Sequence, residues 1–240
     1  VASDPANEKF VHNEFGVNYR FGKLGLNASA YNTDWQDRNL TKSVTTGQGD
    51  SGDTDVIFLT GVNQKHSGVE LETNYMVNDM LDLMFVASFG NWKFDGDANG
   101  NYQETEYNSE GQAIGYTTTE YAYALDGLYV GDMPQTSYVL GVTLKPIKDL
   151  RIQAIHKMYD KNYSDWSPDA REFDGTNDDA DRAQVWEAPS YNRLDLHMSY
   201  KLPKVKDLDM MLTANIFNVL DEVYVQDAVD NSQYLSLIHI

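Results

Sequence analysis

Residues 208–224 read LDMMLTANIFNVLDEVY. Leu208, Met210, Leu212, Ala214 and Ile216 are apolar at every second position, and Asp209, Met211, Thr213, Asn215 and Phe217 form a mixed set between them. A period of two places the sets on opposite faces of a β-strand, one face apolar and the other able to meet water or polar groups.

The pattern recurs outward from this stretch. Leu194, Leu196, Met198, Tyr200 and Leu202 alternate with Arg193, Asp195, His197, Ser199 and Lys201, and Leu150, Ile152, Ala154, His156 and Met158 precede them in the same phase. Tyr138, Leu140, Val142 and Leu144, then Leu81, Leu83, Phe85, Ala87 and Phe89, repeat it. Val69, Leu71, Thr73 and Tyr75 oppose Glu70, Glu72 and Asn74. Near the start, Phe15, Val17, Tyr19 and Phe21 stop at Gly22-Lys23, a connection suited to a hairpin, and Leu24, Leu26, Ala28 and Ala30 resume the alternation. Eight strands are expected, joined alternately by short turns and by long polar segments at 45–55, 95–120 and 164–188. Arg20, Lys23, Lys145, Lys148, Lys201, Lys204 and Lys206 gather at the short turns, while carboxylates crowd the long segments. A soluble sandwich has no reason to keep its long connections on one side, whereas outer-membrane barrels have short periplasmic turns and long extracellular loops. The expected fold is all-β: a transmembrane antiparallel up-and-down β-barrel, present in part, with about eight strands of a larger barrel.

Composition agrees. The 240 residues carry a formal net charge of -19, 16 tyrosines and no cysteine. Without cysteine there is no disulfide framework and no thiolate ligand or nucleophile. The acidic balance argues against nucleic acid, whose phosphates need a basic surface. Mean hydropathy is -0.53, and no stretch approaches the roughly 20 apolar residues of a membrane helix. Barrel strands escape that criterion because only alternate residues face lipid. Val1 is not an initiator and no secretory pattern follows it, so the chain reads as starting within a longer protein.

Asn215, Phe217, Asn218, Leu220, Asp221 and Tyr224 resemble the N-x-F-N-L-x-D-x-x-Y pattern of the penultimate strand of TonB-dependent outer-membrane receptors. Tyr31, Thr33, Asp34 and Asp37 resemble that family's Y-x-T-D-x-x-D strand end, residues 67–72 its S-G-V-E-L-E segment, and Asp132-Met133-Pro134 its N-x-P step into a strand. The resemblance covers residues 1–234 as the carboxy-terminal part of the barrel. It implies a receptor of the outer membrane that imports a scarce ligand (a siderophore-iron complex, cobalamin or a glycan) with energy relayed by the TonB complex through an amino-terminal part outside this sequence. Its partners would be outer-membrane lipid, the TonB complex and a small-molecule or glycan ligand, and not nucleic acid. Expressed alone, such a piece is expected to expose open strand edges and not to close. A passive porin-like barrel and a soluble extracellular glycan-binding β-sandwich are the alternatives. Residues 235–240, LSLIHI, back-translate to a sequence that looks like a sequencing adapter, and read as a non-native tail.

Candidate chemistry is sparse. His12, His66, His156, His197 and His239 form no H-E-x-x-H or other close metal pair, and no G-x-S-x-G elbow or phosphate-cradling loop occurs, so no catalytic residue is assigned. One pattern fits fully: Asp95, Asp97, Asn99, Gly100, Asn101, Gln103 and Glu106 match D-x-[DN]-x-[DN]-G-x5-E. That spacing offers oxygens at positions 1, 3, 5, 9 and 12 and a backbone carbonyl at 7, around a glycine turn, which suits Ca2+. No cofactor is required, and a calcium ion in an extracellular loop is the expectation from this motif. Ligand contacts are expected on residues 45–55, 95–120 and 164–188, together with the lumen-facing residues near them. Trp92, Tyr102, Tyr116, Trp166 and Trp186 serve there either as stacking groups or as an interfacial girdle. On the outer strand face Leu196 should resist charge, whereas Asp195, on the inner face, should tolerate reversal.

Overall fold

The computed structural model describes residues 7–46, 53–173, 181–230 and 235–238. In chain order the elements are β1 (Lys9–Phe21), β2 (Leu24–Thr46), β3 (Asp53–Asn78), β4 (Leu81–Phe94), β5 (Ala98–Tyr107), β6 (Ala113–Tyr123), β7 (Thr136–Leu144), β8 (Leu150–Asp160) and β9 (Asn162–Tyr163). There follow α1 (Pro168–Arg171), β10 (Glu172–Phe173), β11 (Glu187–Ala188), β12 (Tyr191–Lys201), β13 (Met211–Ile216), β14 (Tyr224–Ala228) and β15 (Leu235–Ile238).

Eight strands make one antiparallel wall, each paired with its neighbour in the order β1-β2-β3-β4-β7-β8-β12-β13. They are the eight expected from alternation, and β1 and β13 are not joined, so the barrel is partial and open. Gly22 supplies the positive φ of 56° that its two-residue turn needs. The register keeps every apolar set in phase: Phe15 faces Ala30, Ala30 faces Val69, Val69 faces Phe89 and Phe89 faces Thr136. At the other end Leu140 faces His156, Leu196 faces Ala154, and Ile216 faces Leu196.

This outward face is uncovered. Phe15 is 75% exposed, Phe21 71%, Leu140 51% and Ile216 58%, an apolar surface far beyond what a water-borne monomer presents. Its height fits a membrane. The row Phe21, Leu24, Tyr75, Leu83 lies six residues below the row Phe15, Ala30, Val69, Phe89, about 20 Å along a strand, to which the end side chains add, against an apolar band of about 25 Å. The next outward row up, Asn13, Asn32, Ser67 and Asn91, is polar and marks the upper edge.

Above that edge the long segments pack into a cap with a core of its own, which sequence reading as solvated polar loops did not anticipate. Residues 95–120 are mostly the β5–β6 hairpin, and β5 lies along upper β3, pairing Leu59 with Gly100. Ile57, Leu59, Val62, Phe94, Tyr123, Leu125, Leu128, Tyr163, Trp166 and Val185 are all buried together there. The apolar residues come from widely separated segments, so no single segment shows an alternation long enough to betray them. Residues 45–46 and 53–55 extend β2 and β3, and the intervening residues 47–52 lie outside the described ones. So do residues 174–180 of the third expected loop, including Asp174, Asp178 and Asp179. In the remainder of that loop Arg171, 1% exposed, is ion-paired with Asp230 and donates from Nη1 to the carbonyls of Asp181 (2.7 Å) and Ala183 (2.6 Å). In the 235–240 tail, β15 pairs with β14, and residues 239–240, with His239, lie outside the described ones.

Candidate ligand site at the outer mouth of the barrel

The inner face is built from the interleaved positions, and at the height of the polar row it concentrates aromatic rings. The two-residue turn at Gly22 sets Phe10 opposite Trp35, His12 opposite Thr33 and Glu14 opposite Tyr31. Across β3 and β4, Tyr31 faces Gly68, Gly68 faces Gly90, and His66 faces Trp92. The two glycines explain how the rings lie. A Cβ on Gly68 would meet the Tyr31 hydroxyl at 2.5 Å, and one on Gly90 would meet the Trp92 ring at 2.9 Å. Tyr31 and Trp92 therefore lie down against bare backbone, and Trp92 Nε1 donates to the Tyr31 hydroxyl at 2.9 Å.

The neighbouring rings continue the sheet of π-faces. Phe10 and His12 are nearly parallel with centroids 6.2 Å apart, His12 and Tyr31 at 6.4 Å, and His66 and Trp92 at 5.5 Å. Phe10 meets Trp35 edge-on, and the Arg38 guanidinium sits 3.7 Å from the Trp35 centroid. His12 Nδ1 shares a 2.7 Å hydrogen bond with Thr33, and Arg38 donates to Gln64 at 2.6 Å. Apart from Arg38 and Gln64, these side chains line, together with Glu14 and Glu70, a cleft of about 360 Å³. Its position is pinned from behind by Gln135, 1% exposed, which accepts from the Trp92 amide at 2.9 Å and donates to the Trp92 carbonyl at 3.0 Å. An amide side chain thus replaces a missing strand partner and fixes the backbone that aims Trp92 inward.

Below the rings the inner face turns polar. Glu70 faces Ser29 and Ser88, Glu72 faces Asn27, and Asn18 donates to Asn27 at 2.5 Å. These line a second cleft of about 450 Å³ that shares Glu14 and Glu70 with the first. Across the wall, Asp195 is wholly buried: it accepts from Lys157 Nζ at 2.9 Å and from the Asn218 amide at 3.0 Å, and Arg193 lies 3.3 Å away. This corrects the expectation that Asp195 tolerates charge reversal, because an inner-face residue need not face water. The Asn218 contact also explains the 215–224 motif. Asn218 and Asp221 take positive φ (50° and 55°), Asn218 brackets the turn through the Glu222 amide and carbonyl (3.1 and 3.0 Å), and Tyr224 stacks on Tyr191 at 4.1 Å. The motif ends β13 and clamps it to β12.

Of the aromatics expected at a site, Trp92 is in the cleft. Trp166, 1% exposed, packs on Phe94 and Tyr123 in the cap core, a correction to both of its readings, as a stacking group and as a girdle residue. Tyr116 is exposed on β6 and Trp186 is 40% exposed on the cap surface, while the side chain of Tyr102 lies outside the described residues. Phe10, His12, Tyr31, Trp35 and His66 went unassigned in sequence, although the Gly22 turn fixes three of their pairings.

The described side chains of the calcium motif are not gathered into one shell, and the side chain of Gln103 lies outside the described ones. Asp95 pairs with Lys65 at 2.8 Å. Asp97 pairs with Arg182 at 2.9 Å and accepts from the Leu125 and Asp126 amides at 3.0 and 3.1 Å, and the Arg182 hydrogen bond, ahead of those amides, holds its carboxyl below the usual range. Asn99, Asn101 and Gln103 lie along β5, and Glu106, at its far end, accepts from the Thr117 hydroxyl. Asn99 and Glu106 are seven residues apart in a strand, about 24 Å, beyond the reach of one ion. The sharp turn is made by Gly96 at φ 94°, and Gly100 instead leaves room for Leu59 and Tyr123, which a Cβ would meet at 2.9 and 3.0 Å.

Residues 7–219 match the family described as TonB dependent receptor-like, beta-barrel. The copper transporter OprC is similar in structure at a TM-score of 0.63 and 15% identity, over 99% of this chain and 30% of that one. The ferric-catecholate import receptor Fiu from E. coli K12, in its closed form, is similar at 0.52 and 14% identity, over 97% of this chain and 26% of that one. At these identities the likeness is one of fold, and the chain spans less than a third of either protein. No curated protein matches in sequence. With its open eight-stranded wall, its lipid-facing belt and its match over nearly the whole chain, this protein belongs to the TonB-dependent receptor β-barrel family of the Gram-negative outer membrane.

Proposed function

We propose that the chain is the carboxy-terminal barrel part of a receptor that captures a scarce ligand at the outer mouth and imports it with energy supplied through TonB. The observation that carries this reading is the inward-facing ring platform of Tyr31, Trp92, His12 and His66, set at the upper membrane edge beneath a packed cap. A passive pore needs no such platform, since conduction is served by weak, dispersed contacts. An aromatic surface pinned by Gln135 and two glycines is preorganised, and preorganised apolar surface with a few polar groups is how small ligands are held. Membrane lipid, the TonB complex and the ligand are the partners this reading assigns.

The test uses the full-length receptor in its native outer membrane. Ligand accumulation should cease when the proton-motive force is collapsed and should fall sharply for Trp92→Ala at unchanged receptor abundance. Equal accumulation in energised and de-energised cells would show a passive pore.

A further inference from the structure

We infer that Lys42 and Asp165 are a self-reacting pair, whose side chains condense into an intramolecular amide that ties β2 of the wall covalently to the cap. Lys42 Nζ is ion-paired with the Asp165 carboxylate, the Lys42 side chain is only 16% exposed, and the amine lies over the Trp166 ring, 4.9 Å from its centroid. Two further carboxyls converge on the pair. The Asp132 amide donates to the Tyr163 carbonyl at 3.0 Å and the Asp165 amide to the Ala228 carbonyl at 2.8 Å, which sets residues 132, 165 and 227 on three adjoining segments. Gly131 permits this approach, since a Cβ there would meet the Ser164 carbonyl at 2.5 Å. Burial, then the hydrogen bond to Asp227 and the charge of Asp165, raise the Asp132 carboxyl to about 7, so it carries a proton close to neutrality.

Those groups supply what condensation needs: an amine held against a carboxyl carbon, an acid to polarise the carbonyl and a base to carry the second proton. Lys42 passes one proton to Asp165, turning the ion pair into a neutral amine and acid. Nζ then adds to the Asp165 Cγ, while the Asp132 hydroxyl donates to the developing oxyanion. The second proton moves from the nitrogen through the Asp227 carboxylate to the Asp165 hydroxyl, which leaves as water. One C–N bond forms, one C–O bond breaks, and the charges of Lys42 and Asp165 vanish together, with no further reactant consumed. Bulk water opposes amide formation, but a pair held in place reaches effective molarities on the order of 10⁵–10⁸ M, which offset it. Lys157–Asp195 shows the contrast. There the carboxylate is engaged by Arg193 at 3.3 Å and by the Asn218 amide at 3.0 Å, where condensation needs a proton-bearing acid. Lys65–Asp95 and Lys204–Asp209 stand open to water, each side chain at least 44% exposed. The new bond closes a loop between residues 123 apart in sequence and holds the cap to the wall when its other contacts open.

The test is the intact mass and tryptic map of the full-length receptor purified from its outer membrane. The mass should fall about 18 Da below that of the sequence, the weight of one water, and trypsin should release a branched peptide joining residues 39–65 to 162–171. Lys157 and Asp195 should appear in separate, unlinked peptides. Lys42→Arg and Asp165→Ala should each restore the full mass. Asp132→Gly/Asp227→Ala keeps the reacting pair and suits the positive φ at 132, and in heat-modifiable, folded protein it should also retain the full mass. Recovery of residues 43–65 and 162–171 as separate peptides from the parent overturns the inference, as does a mass loss without the branched peptide. Parental linkage in the Asp132→Gly/Asp227→Ala protein overturns the roles given to those two carboxyls.

Discussion

The membrane wall and the extracellular cap solve the same physical problem with opposite layouts. In the wall the apolar side chains point away from the protein, and Phe15, Phe21 and Leu140 are more than half exposed because lipid is their partner. In the cap Leu125, Tyr123 and Trp166 are at most 1% exposed and pack on one another, because their surroundings are water. Between its two open edges, β1 and β13, the wall is held by backbone ladders that satisfy its hydrogen-bonding groups within the sheet, and the cap by burial from five chain segments and by ion pairs such as Arg171–Asp230. One consequence is that the wall's design can be read along a single strand, whereas the cap's is legible only once the segments have met.

The contrast breaks first at Asp195 and Leu196, adjacent on β12 but on opposite faces. Asp195→Arg should cost on the order of 3–5 kcal/mol or more, since it removes the partner of Lys157 and Arg193 and adds a third cation beside them. Leu196→Arg should cost about 2–4 kcal/mol near the bilayer midplane. Both are measured by urea unfolding of the full-length receptor in bilayers, and an Asp195→Arg protein as stable as the parent would refute the buried ion-pair hub.

The same truncation in the two regions sharpens it. Leu125→Ala, at 0% exposure, should destabilise the cap by about 2–5 kcal/mol through transfer and cavity terms. Leu140→Ala, 51% exposed to lipid, should do much less, because acyl chains fill the space. Hydrogen exchange should show faster exchange throughout residues 95–130 in Leu125→Ala with the wall ladders unchanged. Exchange confined to residue 125 would mean that the cap has no cooperative core.

A pH effect separates the regions further. Asp132, in the cap between β6 and β7, has its carboxyl raised to about 7, first by burial and then by the neighbouring Asp227 and Asp165, with Lys42 acting the other way. A raised acid binds its proton more tightly in the docked state than when released. Its stabilisation is therefore complete below about pH 4 and is lost as pH rises through about 7. Cap protection should decline over that range. Asp132→Asn should flatten the profile and be the better protected protein at pH 8, since asparagine tolerates the φ of 67° found there. A profile unchanged by the substitution would remove Asp132 from the account.

The smallest effect concerns calcium. With β5 formed, isotherms of the full-length receptor at millimolar Ca2+ should superimpose for the parent and Asp95→Ala/Glu106→Gln. A heat that depends on those carboxylates would show that the β5–β6 hairpin opens and rewinds round the ion, as the motif's spacing proposes.

The sequence by itself determined the wall. Alternation at Leu194 to Leu202 and its counterparts reports which residues meet lipid, because a strand's period of two is a local property of the backbone. The Gly22-Lys23 turn likewise fixes which residues of β1 and β2 face each other. The motif at Asn218, Asp221 and Tyr224 was visible, though its work as a clamp on β12 was not. Tertiary structure alone decided the rest. Gly68 and Gly90 read as weak strand positions until the register set them side by side beneath Tyr31 and Trp92, and Gln135 as a polar loop residue until Trp92 claimed both ends of its amide. Asp95–Glu106 matched a calcium loop in spacing, yet pairing with upper β3 drew it out into a strand. Each of these depends on which distant segment arrives alongside, and a long connection between strands carries no local record of its partner.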